Sequence, residues 1–181
     1  GDVDGETALA WGSNNYGQLG DGKGTEILKP TGSVLSGGID MAMYGHHTCT
    51  AMTDGTVKCW GLGTHGQVGD LGRYNRATPQ TIAGVSRAEY VGVGALHSCA
   101  LRGDGSVLCW GDNEHGQLGN GQMGLSAALP VEVRSVHLRR KGLAGGQNNT
   151  CTLTAGGGVQ CWGANESWQL GEFTNTQRNL P

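Results

Sequence analysis

"CWGDNEHGQLGNG", residues Cys109 to Gly121, decides the reading of this chain because it returns. Trp60 to Gly69 reads "WGLGTHGQVG", Trp11 to Gly20 reads "WGSNNYGQLG", and Trp162 to Gly171 reads "WGANESWQLG". A catalytic loop is needed once, whereas a phrase written four times is a structural unit. Trp11, Trp60, Trp110 and Trp162 stand 49, 50 and 52 residues apart. That period lies in the range of propeller blades and solenoid units. Pro30, Pro79, Pro130 and Pro181 keep phase, at 19, 19, 20 and 19 residues after their tryptophans.

A second phrase precedes each of the last three tryptophans: "TCTAMTDGTVKCW", "SCALRGDGSVLCW" and "TCTLTAGGGVQCW". Its arms are short runs of alternating, strand-favouring residues. Asp54-Gly55 and Asp104-Gly105 lie between them, and Asp-Gly tolerates the positive φ of a tight hairpin turn. Gly156-Gly157-Gly158 meets the same demand in the third copy. Weaker strands are expected at "IDMAMY", "AEYVGVG" and "VEVRSVHL". No helical periodicity is present. The expected fold is all-β, with propeller blades of about 50 residues each. One continuous repeat domain is divided into a leading part-blade over 1–30 and full blades over 31–79, 80–130 and 131–181. Trp11, Trp60, Trp110 and Trp162 are expected to end strands and to pack between adjacent blades. The glutamine of each "GQLG" is expected to satisfy backbone groups in its loop.

Composition narrows the function classes. The 181 residues carry a net charge of −3 and only 15% charged side chains, which suggests neither a nucleic-acid footprint nor an acidic tail. Glycine is the outlier at 35 residues, with only four prolines and no G-X-Y period. No apolar run approaches the roughly 20 residues that span a bilayer.

These motifs resemble the repeat of the regulator of chromosome condensation family. "HTC…DGTVKCWG…HGQVG" and "HSCALRGDGSVLCWGDNEHGQLGNG" carry the resemblance, which covers nearly the whole chain. It implies a β-propeller, typically seven-bladed in the family, and a protein-binding face rather than a reaction. Relatives include a nuclear guanine-nucleotide exchange factor, ubiquitin-ligase subunits, ciliary proteins and secreted bacterial inhibitors of β-lactamase. The exchange activity depends on a loop insertion and on acidic residues of one face that are not placed in this sequence, so the resemblance does not carry that activity over. Trp168 departs from the pattern, standing where Gly17, Gly66 and Gly116 stand in the other copies. A tryptophan takes the glycine conformation at a cost, so this loop is expected to differ.

Six cysteines form three pairs, Cys49/Cys59, Cys99/Cys109 and Cys151/Cys161, each flanking a hairpin turn. Residues opposite one another on antiparallel strands have Cβ atoms ~4.5–5.5 Å apart. A disulfide needs ~3.5–4.5 Å, so a small adjustment suffices. The first copy has Ala10 where the others have Cys59, Cys109 and Cys161, and its partner position lies ahead of residue 1. Cysteine occurs only where both members of a pair occur, which argues for three bonds and against zinc. Disulfides place a chain outside the reducing cytosol.

Other chemistry is sparse. His47 and His97 precede their hairpin cysteines, with Asn149 in that place in the third hairpin. His65 and His115 follow their tryptophans, with Tyr16 and Ser167 elsewhere. A histidine ring lining a metal channel is one reading, but the substitutions favour hydrogen bonding to loop backbone. "DVDGE" at Asp2–Glu6 lacks the later ligands of a calcium loop. "RRK" at 139–141 reads as a solvated loop, and no phosphate loop or catalytic triad pattern is present. The expectation is therefore no enzyme, no catalytic residue, no metal and no cofactor. Asn148 and Asn165 begin glycosylation sequons, and Trp168 is a candidate exposed binding residue.

The function expected is a non-enzymatic, extracellular or cell-surface structural and protein-interaction module, part of a larger surface assembly or fibre. Its partners would be proteins or further copies, met through blade edges and loops, with no nucleic acid and no membrane span. Residues 1–12 and 172–181 are expected to lie against other polypeptide. The alternatives are a protein-binding regulator of the exchange-factor or inhibitor type, and a carbohydrate-binding propeller that takes glycan through Trp168.

Overall fold

A computed structural model describes residues 7–136 and 142–181. The sequence features at Asp2–Glu6 and 139–141 lie outside the described residues. Every regular element among the described residues is a strand: β1 (Thr7–Gly12), β2 (Ile27–Ser36), β3 (Gly38–Tyr44), β4 (His47–Met52), β5 (Val57–Gly61), β6 (Arg76–Thr81), β7 (Ala88–Val93), β8 (His97–Arg102), β9 (Val107–Gly111), β10 (Ala127–Glu132), β11 (Leu143–Gly145), β12 (Asn149–Leu153) and β13 (Val159–Gly163). They form four antiparallel sheets, ordered β1-β2, β3-β4-β5-β6, β7-β8-β9-β10 and β11-β12-β13. A bridge between Gly163 and Arg178 extends the last sheet. The molecule is a partial β-propeller.

The hairpins fold where the Asp-Gly pairs place them. The Asp54 carboxylate accepts the Thr56 backbone N–H at 2.9 Å, and Asp104 accepts that of Ser106 at 3.1 Å. Gly55 and Gly105 hold φ of 79° and 87°, in the region that glycine reaches without a Cβ penalty. The third hairpin has no Asp. There the Thr154 hydroxyl accepts the Gly158 N–H at 3.1 Å.

Two points differ from the sequence reading. The first three repeats each have an outer strand that the sequence conceals, because it contains the proline. Pro30, Pro79 and Pro130 sit within β2, β6 and β10. These strands have one neighbour each, and an edge tolerates a residue that cannot donate to the ladder. Second, "VEVRSVHL" is not the inner strand of the last sheet. Val131 and Glu132 end β10, and a turn follows before residue 137. The inner strand is the short β11. Val133 and Val136 are buried from turn positions, and so imitate the alternation of a strand.

Successive sheets pack face to face, with β3 and β4 against β7, and β7 and β8 against β11. Two apolar cores fill the joints. The first joins Cys49, Ala51, Val57, Cys59 and Val68 to Val91, Val93, Ala100 and Trp110 of the next sheet. The second centres on Leu101, Val107, Leu118 and Trp162.

Candidate interaction surface

What positions any binding surface here is the joint between sheets, and its parts come from the repeated phrase. Trp60, Trp110 and Trp162 are buried. Their indole Nε1–H groups donate to the backbone carbonyls of Gln18, Gln67 and Gln117 in the preceding repeat, each at 2.9 Å. The final glycine of "GQLG" admits the ring. A Cβ on Gly69 would stand 2.7 Å from the Trp110 Nε1. Thr48, Ser98 and Thr150 donate their hydroxyls to the same three carbonyls, at 3.1, 2.9 and 2.9 Å. The glutamine side chains hold the loop itself: Gln18, Gln67, Gln117 and Gln169 Oε1 accept the N–H of Tyr16, His65, His115 and Ser167.

His47 and His97 belong to these joints rather than to loop backbone. His47 Nε2 lies 2.9 Å from Ser98 Oγ, and His97 Nε2 lies 2.9 Å from Thr150 Oγ1. Each hydroxyl already gives its proton to a glutamine carbonyl, so Nε2 must carry the hydrogen and donate. Nδ1 is then a bare acceptor, buried without a partner among the described residues. Burial holds both rings neutral, and is the main cause that lowers their pKa values from 6.5, to about 3 for His47 and about 4 for His97. The proximity of the two rings lowers His47 further, whereas Asp112 opposes the shift at His97. His65 and His115 are different: His65 contacts Thr64, and His115 contacts Gln177.

Trp11 does not share the joint environment. It is 58% exposed, because no sheet precedes β1 among the described residues. Beside it, Leu9, Met41, Met43 and Tyr44 line an open cleft of about 390 Å³. The cleft lies along the edge of β1 where β5, β9 and β13 have β4, β8 and β12 as neighbours.

Three disulfides, Cys49–Cys59, Cys99–Cys109 and Cys151–Cys161, join directly opposed residues of the hairpins, with Cα–Cα distances of 4.1, 4.0 and 4.1 Å. No free cysteine remains. Reduction is expected to lower stability by about 2–3 kcal/mol per bridge at most, because each loop is short. Denaturant midpoints with and without reductant measure this, and an unchanged midpoint would contradict it.

The loop at Trp168 corrects one expectation. Trp168 takes φ of 64°, close to the 79°, 82° and 81° of Gly17, Gly66 and Gly116. It keeps the loop's bonds, Trp168 N–H to Asn165 O and Gly171 N–H to Trp168 O, both 3.1 Å. The loop is the same, and the tryptophan bears the strain. A Cβ on Gly17, Gly66 or Gly116 would lie 2.5, 2.9 or 2.7 Å from the Cα of Ala77, Ala128 or Asn179 in the next repeat. No described repeat follows Trp168, and the residue is 56% exposed. Asn165 is buried, accepts Leu170 N–H, and donates to the carbonyls of Thr174 and Thr176. A glycan at Asn165 is therefore incompatible with this fold, whereas Asn148 is half-buried and its sequon remains open to modification.

Among the described residues no group of three or more His, Cys, Asp or Glu side chains is placed to hold a metal. Among the described residues no helix is long and apolar enough to cross a membrane.

Comparison with known proteins agrees with this geometry. The regulator of chromosome condensation (RCC1) repeat matches residues 54–101 and 104–153, and a second description of the same repeat matches 39–67 and 89–117. The ultraviolet-B receptor UVR8 of Arabidopsis thaliana is 29% identical over 178 residues, which cover 95% of this chain and 40% of the receptor. Human WBSCR16 superposes with a TM-score of 0.85 at 22% identity, over 99% of this chain and 53% of that one. Yeast RCC1 (Prp20), in its complex with Kap60, gives 0.80 at 21% identity, over 97% and 44%. The chain thus spans about two fifths of the plant relative's length. With the matched repeats covering more than half of its residues, the chain belongs to the regulator of chromosome condensation (RCC1) repeat family.

Proposed function

We propose that this chain is a non-catalytic protein-interaction module of an extracellular or cell-surface assembly. The observation that carries the reading is the distribution of cystine. Each hairpin described in full has one disulfide, and the strand β1, with no hairpin partner among the described residues, has Ala10 in place of cysteine. Such bonds persist in oxidising compartments. The fold supports the interaction half of the reading: yeast Prp20p, of the same fold, binds Gsp1p and histones. The edge of β1, unpaired among the described residues, and the apolar cleft beside it offer a site for strand addition by another polypeptide.

A second reading, an intracellular protein-binding regulator, draws on the same structural likeness. The two separate on one measurement. The chain is isolated from its source under alkylating, non-reducing conditions and its mass is determined. The extracellular reading expects no alkylated cysteine. Six alkylated cysteines would sink it and favour the regulator.

A further inference from the structure

Each joint has a receiving half and an offering half. The receiving half is a connection with two fixed glycines. Gly20, Gly69 and Gly119 admit the indoles of Trp60, Trp110 and Trp162, and a Cβ on any of the three would stand 2.7 Å from Nε1. Gly17, Gly66 and Gly116 admit main chain, the Cα atoms of Ala77, Ala128 and Asn179, at less than 3.0 Å from where a Cβ would stand. Non-bonded carbons sit best about 3.5–4.0 Å apart. A side chain at this second glycine therefore cannot coexist with the outer segment of a next repeat held in this geometry. The obstacle is main chain, which cannot swing aside as a side chain does.

The last repeat keeps the first of these glycines and lacks the second. Gly171 has φ of 74°, and no described atom lies within 4 Å of the place of a Cβ on it. Trp168 has φ of 64° and carries a real Cβ where Gly17, Gly66 and Gly116 have none. An offering half stands at the other end of the array. In the first sheet, Trp11 and Leu28 occupy the places of Trp60 and Ala77, and both are exposed. The first sheet of one copy thus presents an indole and an outer strand, and the last sheet of another presents a glycine slot for the indole. Trp168 is where the two would collide, because its Cβ would meet the backbone at Leu28.

We infer that Trp168 closes the last sheet to any further sheet of this repeat type, and above all to the first sheet of a second copy. This gives a use to a tryptophan held in a conformation that glycine takes freely. An array of like repeats needs such a stop. An offering half at one end and a receiving half at the other make a head-to-tail contact, which closes into a ring or runs on as a filament. A steric clash built against the wrong partner is one way in which proteins exclude it. The inference goes beyond the interaction reading, and it leaves the edge of β1 open to partners of other kinds.

The test is light scattering on the full 181-residue chain across a wide concentration range. Trp168→Gly relieves the backbone, so its thermal midpoint should stay level or rise. Its mass should climb with concentration, through an association about tenfold tighter or more than any shown by wild type. Trp168→Ala removes the indole but keeps the Cβ, and should scatter like wild type. Adding Trp11→Ala to Trp168→Gly removes the offered indole, and should return the mass to the wild-type curve. A Trp168→Gly curve that matches wild type overturns the proposal. So does a Trp168→Ala curve that matches Trp168→Gly, and so does an association of Trp168→Gly that survives the loss of Trp11. The thiol count is independent of all these results.

Discussion

Replacement of Trp110 by alanine is expected to destabilise the chain by about 3–5 kcal/mol, the range for large aromatic side chains removed from a core. Trp110 is buried in the first apolar core and donates to the Gln67 carbonyl. Its loss empties the joint and leaves Gly69 facing a void. Trp60→Ala and Trp162→Ala should behave alike, since their rings occupy equivalent joints. Trp11→Ala is the internal control. That ring is mostly exposed, and surface changes usually fall within about 0.5 kcal/mol. Chemical denaturation of the four variants reads the contrast. A loss below about 1 kcal/mol at Trp110, or equal losses at all four positions, would contradict the joint assignment.

Acid is expected to have an effect of similar size. His47 and His97 are buried and neutral, with pKa values lowered to about 3 and about 4 from 6.5. The unfolded chain therefore binds more protons than the folded one between these values. Stability is complete above pH 6.5 and falls as the pH drops, by up to about 1.4 kcal/mol per pH unit for each imidazole. At about pH 4.5 the two together remove roughly 5 kcal/mol, a large share of the 5–15 kcal/mol typical of a domain. Urea midpoints measured at neutral pH and near pH 5 should show the decline. His47→Gln keeps an amide donor for Ser98 but cannot titrate, so it should flatten the slope by about half. A slope unaltered in His47→Gln would refute the imidazoles as the source of the decline.

The joints were legible in part. The tryptophan period placed the repeats, and the Asp-Gly pairs and the cysteines flanking them placed the hairpins and the disulfides, because turn residues and cysteine spacing act locally. The sequence also marked the glutamines as loop ties, and their side chains are. What it hid was contact between repeats. The partners of His47 and His97 lie 51 and 53 residues away, so spacing within one repeat pointed to loop backbone instead. The outer strands escaped because proline usually argues against a strand, and only the position at an edge removes the objection. Trp168 misled for a related reason. Glycine in the sister loops signals two demands, positive φ and close approach to the next repeat. A sequence does not separate them, and among the described residues the second does not act on Trp168.

The placement of the cystines has a mechanical consequence. Each covalent link closes within a single sheet, and none crosses from one sheet to the next. Tension on the two ends would be carried between sheets by apolar contact and by hydrogen bonds: those of the indoles, hydroxyls and imidazoles, backbone bonds such as Gly22 N–H to Ala77 O and Ala88 N–H to Gly55 O, and Val91 N–H to the Asp40 carboxylate. Those joints yield before the cystines do, so the array comes apart one sheet at a time. Every released sheet keeps a closed loop of chain that cannot be pulled straight. That retained loop shortens the extensible contour and preserves the hairpin register, from which the sheet can reform once the load is removed.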